Sequence, residues 1–104
     1  MVGVAWHQDA LTDLDEIAKF IAREAPAFGR LFARRVFDAT RRLSDFPRSG
    51  RVIAELGRED VREILVSNYR VIYHILPDEV EVVAVIHGAR LLAAGSLPLE
   101  APNE

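Results

Sequence analysis

The second half of the chain constrains the fold more than any other part of the sequence. It holds three runs rich in β-branched and aromatic residues, Val61 to Val66, Tyr69 to Leu76 and Val80 to His87, and such residues favour strands. Ser67-Asn68 and Pro77-Asp78 separate the runs and have the residue types of tight turns. Short reversals make consecutive strands antiparallel. The sequence therefore predicts a three-stranded antiparallel meander.

Two amphipathic helices are predicted before this meander. From Asp9 to Glu24 apolar residues recur every three or four positions, which is typical of a helix with one buried face. Ala25-Pro26 ends that helix, and proline suits the first turn of a second one. The second helix has its apolar residues on one side, namely Phe28, Phe32, Val36, Ala39 and Leu43. With a short strand at Val2 to Trp6, we predict an α+β fold of order β-α-α-β-β-β.

The length and composition favour one small domain. The 104 residues, of which half are hydrophobic, suit a single domain over residues 1–104. The segment 91–104 contains Gly95, Pro98 and Pro102, so we expect a loose C-terminal tail there.

The composition also excludes several classes of chemistry. The chain has no cysteine, which rules out disulfides and thiolate metal sites. Neither a glycine-rich phosphate loop nor a histidine pair at helical metal spacing occurs, so we expect no cofactor and no metal. No apolar run reaches the length of about 20 residues that a membrane span needs, and no signal peptide is visible. We expect a cytoplasmic protein without membrane contact.

Residue parity sorts the meander into two faces if both reversals are two-residue hairpins. One face would be almost wholly apolar and would pack on the helices: Arg62, Ile64, Val66, Tyr69, Val71, Tyr73, Ile75, Val80, Val82, Ala84 and Ile86. The other face would mix polar and apolar residues: Val61, Glu63, Leu65, Arg70, Ile72, His74, Glu79, Glu81, Val83, Val85 and His87. We interpret the mixed face as the place to search for function.

The polar residues of that mixed face surround Arg70, with Glu63, His74, Glu81 and His87 nearby. Two interpretations stay open. The carboxylates and Arg70 are cross-strand charge pairs on a solvated face, or they form an anion site in which His87 carries a proton, because histidine titrates near neutrality.

Arginine dominates the basic residues, with twelve arginines and a single lysine, Lys19. Arg30, Arg34 and Arg41 fall opposite the apolar side of the second helix. They are either a solvated helix face or a surface for an acidic partner or a phosphate backbone.

Six sequence pieces, in their order along the chain, resemble the RelE/ParE toxin superfamily. They are Trp6 followed by Ala10 to Ile17, Phe20-Ile21-Ala22, Leu43 to Arg51, Val61-Arg62-Glu63-Ile64, Tyr69 to Tyr73 and Val85 to Arg90. The resemblance implies a toxin of a type II toxin-antitoxin pair, with a helix hairpin against an antiparallel sheet. It also implies a cognate antitoxin, through which the toxin reaches operator DNA.

The superfamily has two branches with different activities. RelE-like members cut messenger RNA on the ribosome, and the resemblance gives this chain part of their catalytic set, Arg70 and His87. Glu63, and His74 beside it on the mixed face, could complete an acid-base set for a ribonuclease. The family's lysines and its tyrosine near the C-terminus have no equivalents here. The Val85 to Arg90 ending looks more like the ParE branch, whose members inhibit DNA gyrase and block replication. We therefore favour a gyrase-binding inhibitor that is not an enzyme, with a ribosome-dependent mRNA endoribonuclease as the alternative.

Antitoxin or target binding is expected to use exposed cations. The residues that we assign to it are Arg30, Arg34, Arg41, Arg62, Arg70 and Arg90.

Overall fold

A computed structural model describes residues 1–93 and 95–99. Its elements are β1 (Gly3–Trp6), α1 (Gln8–Ala22), α2 (Pro26–Arg41), a short 3-10 helix (Arg42–Ser44), β2 (Arg51–Val52), β3 (Val61–Val66), β4 (Tyr69–Ile75) and β5 (Glu79–His87). The predicted α+β order is confirmed, with β2 as an additional strand. That strand has two residues, too few for a pattern to show in the sequence.

The five strands form one mixed sheet in the order β1-β5-β4-β3-β2. The predicted meander of β3, β4 and β5 is antiparallel throughout. Strand β1 pairs in parallel with β5, so that Gly3 lies opposite Glu79 and Trp6 opposite Val82. Strand β2 pairs antiparallel with β3 and places Arg51 opposite Glu63.

A capping histidine, a proline and a glycine determine where the two helices begin and how closely they pack. The Nδ1 atom of His7 accepts a hydrogen bond of 3.0 Å from the amide of Asp9 and caps α1. Helix α2 begins at Pro26, where a missing amide hydrogen costs nothing. A Cβ atom at Gly29 would lie 2.6 Å from the Ala18 carbonyl oxygen. The two helices therefore pack backbone to backbone at this glycine.

One hydrophobic core lies between the helices and the sheet. Its buried residues are Ala10, Leu14, Phe32, Val36, Leu43, Val66, Val71, Tyr73, Val80, Val82 and Val85. Phe28, which the sequence placed on the buried side of α2, is 63% exposed, whereas Gly29 and Thr40 are buried in its stead. The buried stripe is centred closer to α1 than the periodicity indicated, because small residues let the helices approach.

The fully buried Tyr73 fixes the loop between α2 and β2. Its hydroxyl donates to the Pro47 carbonyl at 2.8 Å and accepts from the Gly50 amide at 2.9 Å. A Cβ atom at Gly50 would lie 2.5 Å from that hydroxyl and 2.7 Å from the Glu63 carbonyl. Only glycine fits there without moving the tyrosine or the strand.

A β-bulge in β5 reverses part of the predicted assignment of faces. Ile72 pairs with Ala84 and Tyr73 with Val82, so Val83 has no opposite residue. Beyond this extra residue the alternation shifts by one position. Val85 therefore lies in the helix-side core, and the parity prediction was wrong for Val85, His87, Ala84 and Ile86.

The second face of the sheet is covered as well. It holds a cluster of Ile53, Val61, Ile72, Val83, Ala84 and Ile86, against which Leu56, Leu92, Leu97 and Leu99 pack. Leu92, Leu97 and Leu99 of the expected loose tail therefore pack on the sheet, whereas Leu91 is 82% exposed. Residues 94 and 100–104 lie outside the described part. The apolar residues of this face are covered by leucines of an irregular loop and of the tail. No strand or helix pattern in the sequence predicts the position of those leucines.

Asp13 of α1 binds β5 two residues beyond the β-bulge, where β1 no longer pairs with that strand. Its Oδ2 accepts a 3.0 Å hydrogen bond from the buried Val85 amide. Asp13→Ala should lower the free energy of unfolding by about 1–3 kcal/mol, because that amide loses its acceptor. Chemical denaturation measures the change.

The pH dependence of stability distinguishes the effect of the Asp13 charge from the effect of its hydrogen bond. Burial raises the pKa of Asp13 above its ordinary value of 3.8. Its contribution to stability is therefore fully present below the unfolded-state pKa and is lost as pH rises through the folded-state value. Asp13→Asn keeps an acceptor without the charge, so its melting temperature relative to the unmodified chain should rise from pH 3 to pH 7. A pH-independent difference would contradict this account.

Candidate functional site

The Arg70 side chain lies at the centre of a buried ion cluster on the second face. The residue is 5% exposed. Its Nε donates to Glu63, and its two terminal nitrogens donate to both oxygens of Glu55 at 2.8 and 3.0 Å. One terminal nitrogen also donates to the Arg90 carbonyl at 2.9 Å. Four of the five guanidinium hydrogens therefore have acceptors within the protein.

The two carboxylates of this cluster connect different parts of the chain. Glu63, 4% exposed, accepts from Arg70 with one oxygen and from Arg51 at 2.7 Å with the other. Glu55 also accepts a 3.1 Å hydrogen bond from the Leu92 amide. The hydrogen bonds from Arg70, and then that from Leu92, lower the pKa of Glu55 to about 2. The cluster thus connects β3, β4, the 53–60 loop and the tail through ion pairs and hydrogen bonds.

His74 lies on the same face, away from the Arg70 cluster. Its Nε2 is 2.9 Å from Asp60, and its Nδ1 is buried without a hydrogen-bond partner among the described residues. Hydrogen bonds from Arg58 and, second, from His74 lower the pKa of Asp60 to about 2, against the effect of burial. The contact between His74 and Asp60 attaches the 53–60 loop to β4, and Arg58 binds the same carboxylate from within the loop.

His87 is separated from Arg70 and Glu63 by the sheet itself. The bulge turns His87 to the helix side, where its ring lies 5.5 Å from the Tyr69 ring and its Nδ1 accepts from the Ala89 amide at 3.1 Å. Glu63 and Arg70 therefore meet as predicted, but His87 does not join them.

Arg62 and Arg90 differ in how far their guanidinium groups are available. Arg62 donates to the carbonyls of Arg48, Gly50 and Glu59 and pairs with the Glu59 carboxylate at 2.9 Å. That guanidinium fastens the loops on either side of β2. Arg90 is exposed, and only its carbonyl takes part in the Arg70 cluster.

The predicted arginines of α2 are exposed. Arg41 pairs with Asp38 at 3.3 Å. The guanidinium groups of Arg30 and Arg34 make no hydrogen bond or ion pair with the described residues, and both side chains face solvent. Of the six arginines assigned to binding, Arg30, Arg34, Arg41 and Arg90 present their cations to solvent, whereas Arg62 and Arg70 use theirs internally.

Sequence reasoning missed Glu55, Asp60 and Asp13 as important polar residues. Glu55 and Asp60 lie in an irregular loop, where no periodicity indicates which way a side chain points. Asp13 borders the apolar stripe of α1, and a carboxylate at that border was the one available signal.

Two features are absent from residues 1–93 and 95–99. Nowhere in these ranges do three or more histidine, aspartate or glutamate side chains group in a way that would hold a metal ion. Within the same ranges, neither helix has the length and hydropathy to cross a membrane.

Comparison with known proteins identifies relatives over most of the chain. Residues 4–92 match the family described as "ParE toxin of type II toxin-antitoxin system, parDE". Toxin RelE2 of Caulobacter vibrioides is 32% identical over 91 residues, which are 88% of this chain and all of that protein. A solved structure described as the chromosomal ParDE TA system from P. aeruginosa superposes with a TM-score of 0.70 at 14% identity, covering 84% of this chain and 96% of that one.

The structural likeness supports the fold, and the sequence matches extend over nearly all the described elements. The chain belongs to the ParE toxin family of type II toxin-antitoxin systems, within the RelE/ParE superfamily.

Proposed function

We propose that this toxin acts as a ParE-like binding inhibitor of DNA gyrase that blocks replication and is neutralised by its cognate antitoxin. The observation that carries this choice of branch is the internal use of Arg70 and Glu63, together with the position of His87 on the other side of the sheet. The proposal does not require an enzymatic site.

RNA cleavage makes demands that this arrangement does not meet. It needs a base for the 2′-hydroxyl, cations for the phosphorane charge and an acid for the leaving oxygen. A guanidinium whose donors bind Glu55, Glu63 and a carbonyl has little capacity left for a phosphate. Both Glu63 oxygens already accept hydrogen bonds from arginines and the residue is buried, so a 2′-hydroxyl has little access to the carboxylate.

The antitoxin is the partner that family membership implies. We expect it or the target to contact the exposed cations Arg30, Arg34, Arg41 and Arg90. Sequence-specific contact with operator DNA is proposed to come through the antitoxin. Action in the cytoplasm follows for either target, because gyrase and ribosomes both work there.

Purified gyrase provides the direct test. With ATP and relaxed plasmid, the toxin should reduce supercoiling in a concentration-dependent way, and prior addition of the cognate antitoxin should restore it. The toxin–antitoxin complex at the same concentration is the matched control. Full supercoiling at a large excess of free toxin would exclude gyrase as the target.

Macromolecular synthesis in bacteria tests the branch without assuming the enzyme. When the toxin is induced without antitoxin, incorporation of labelled thymidine should fall within minutes, before incorporation of labelled methionine falls. An early collapse of methionine incorporation would instead favour the mRNA endoribonuclease. Co-induction of the antitoxin should prevent either loss.

His87→Gln separates the two branches at one residue. The side chain is exposed and glutamine keeps an acceptor for the Ala89 amide, so the fold should be retained. For a binding inhibitor we expect the toxin dose that arrests growth to change by about twofold or less, as for most surface substitutions. Loss of a general acid or base would weaken toxicity by about 10²–10⁴-fold. Such a loss, with an unchanged melting temperature, would contradict the gyrase proposal and support RNA cleavage.

A further inference from the structure

The charge of this protein is distributed very unevenly. Residues 26–44, which form α2 and the 3-10 helix, contain five arginines and one carboxylate, a net charge of +4. Because the whole chain carries −3, the remaining residues carry −7. One helix is therefore strongly cationic in an acidic protein.

The arginines of this helix form two rows on its solvent side. Arg30, Arg34 and Arg41 make one row, and Arg35 and Arg42 make the other. All five are exposed, and the Arg41–Asp38 contact is the one ion pair that they make with the described residues. At 1.5 Å of rise per residue, the two rows extend over about 18 Å of the helix.

This surface, the exposed arginine face of α2, has few apolar anchors. Protein interfaces place buried aromatic or aliphatic side chains at their centre. Here Leu31 is half-buried between the rows, and Phe37 lies at the margin with its ring 4.9 Å from the Trp6 ring. A phosphate backbone needs no apolar centre, because its contacts are charge-assisted hydrogen bonds that guanidinium groups make with good geometry.

We propose that the exposed arginine face of α2 binds the phosphodiester backbone of nucleic acid without sequence preference. This goes beyond the proposed function, since gyrase and the ribosome both hold nucleic acid and the contact does not depend on which is the target. The overall charge of −3 does not prevent it, because at physiological ionic strength charges more than about 8 Å apart are largely screened. The toxin thereby adds a general contact to the sequence-specific one expected of the antitoxin.

Fluorescence anisotropy of the purified chain with a labelled 20-base-pair DNA duplex tests the proposal, and a 20-nucleotide RNA of unrelated sequence forms a second arm. Affinity should fall steeply between 50 and 200 mM salt, with a slope of about −3 to −5 in log K against log salt for the duplex. Arg34→Ala/Arg41→Ala should reduce that slope by about 2 and weaken binding at 50 mM salt by about tenfold or more. The duplex and RNA arms show which nucleic acid is preferred.

Arg23→Ala/Arg48→Ala is the matched control. It also removes two positive charges, but from exposed arginines outside α2, and should leave the affinity for nucleic acid nearly unchanged. The proposal is overturned if neither nucleic acid binds at 50 mM salt, or if the control loses as much affinity as the α2 variant. It is also overturned if the α2 variant keeps its affinity for nucleic acid, whether or not it still binds the antitoxin. The supercoiling assay with the unmodified chain tests the gyrase proposal separately from these outcomes.

Discussion

The second face of the sheet depends on the pairing of one buried cation. Arg70 could not remain buried at 5% exposure without acceptors, because an isolated charge in a protein interior is expensive. Glu63 comes from the neighbouring strand, Glu55 from an irregular loop, and the Arg90 carbonyl from the start of the tail. The loop and the tail that cover the second hydrophobic cluster are held at this guanidinium. Removing one of these acceptors would leave the positive charge of Arg70 incompletely compensated in the interior.

This use of Arg70 explains why residue type alone misleads about function. An arginine and a glutamate at neighbouring strand positions fit an anion site and a structural ion pair equally well. The sequence correctly brings Glu63 and Arg70 together, since strand alternation and a two-residue reversal determine their position. It cannot show that Glu55 completes the set, because Glu55 reaches Arg70 from a segment without regular structure.

The faces of the meander could be predicted as far as Val82. Alternation is reliable while strands pair residue for residue, and Val71, Tyr73 and Val82 lie in the helix-side core as parity predicts. One unopposed residue, Val83, ends that reliability, and no turn residue or glycine in the sequence indicates it. The separation of His87 from Arg70 is a direct result. A single extra residue in a strand thus decides whether three polar side chains form one group or two.

The pairing of β1 with β5 has a consequence for how the chain folds. Strands β3, β4 and β5 follow one another through short turns, so their contacts form at low entropic cost. Strand β1 finds its partner only across more than seventy residues, from Gly3 to Glu79. Contacts of such long range are slow to form. During synthesis the first strand must therefore wait, with one row of backbone groups unpaired, until the last strand has left the ribosome.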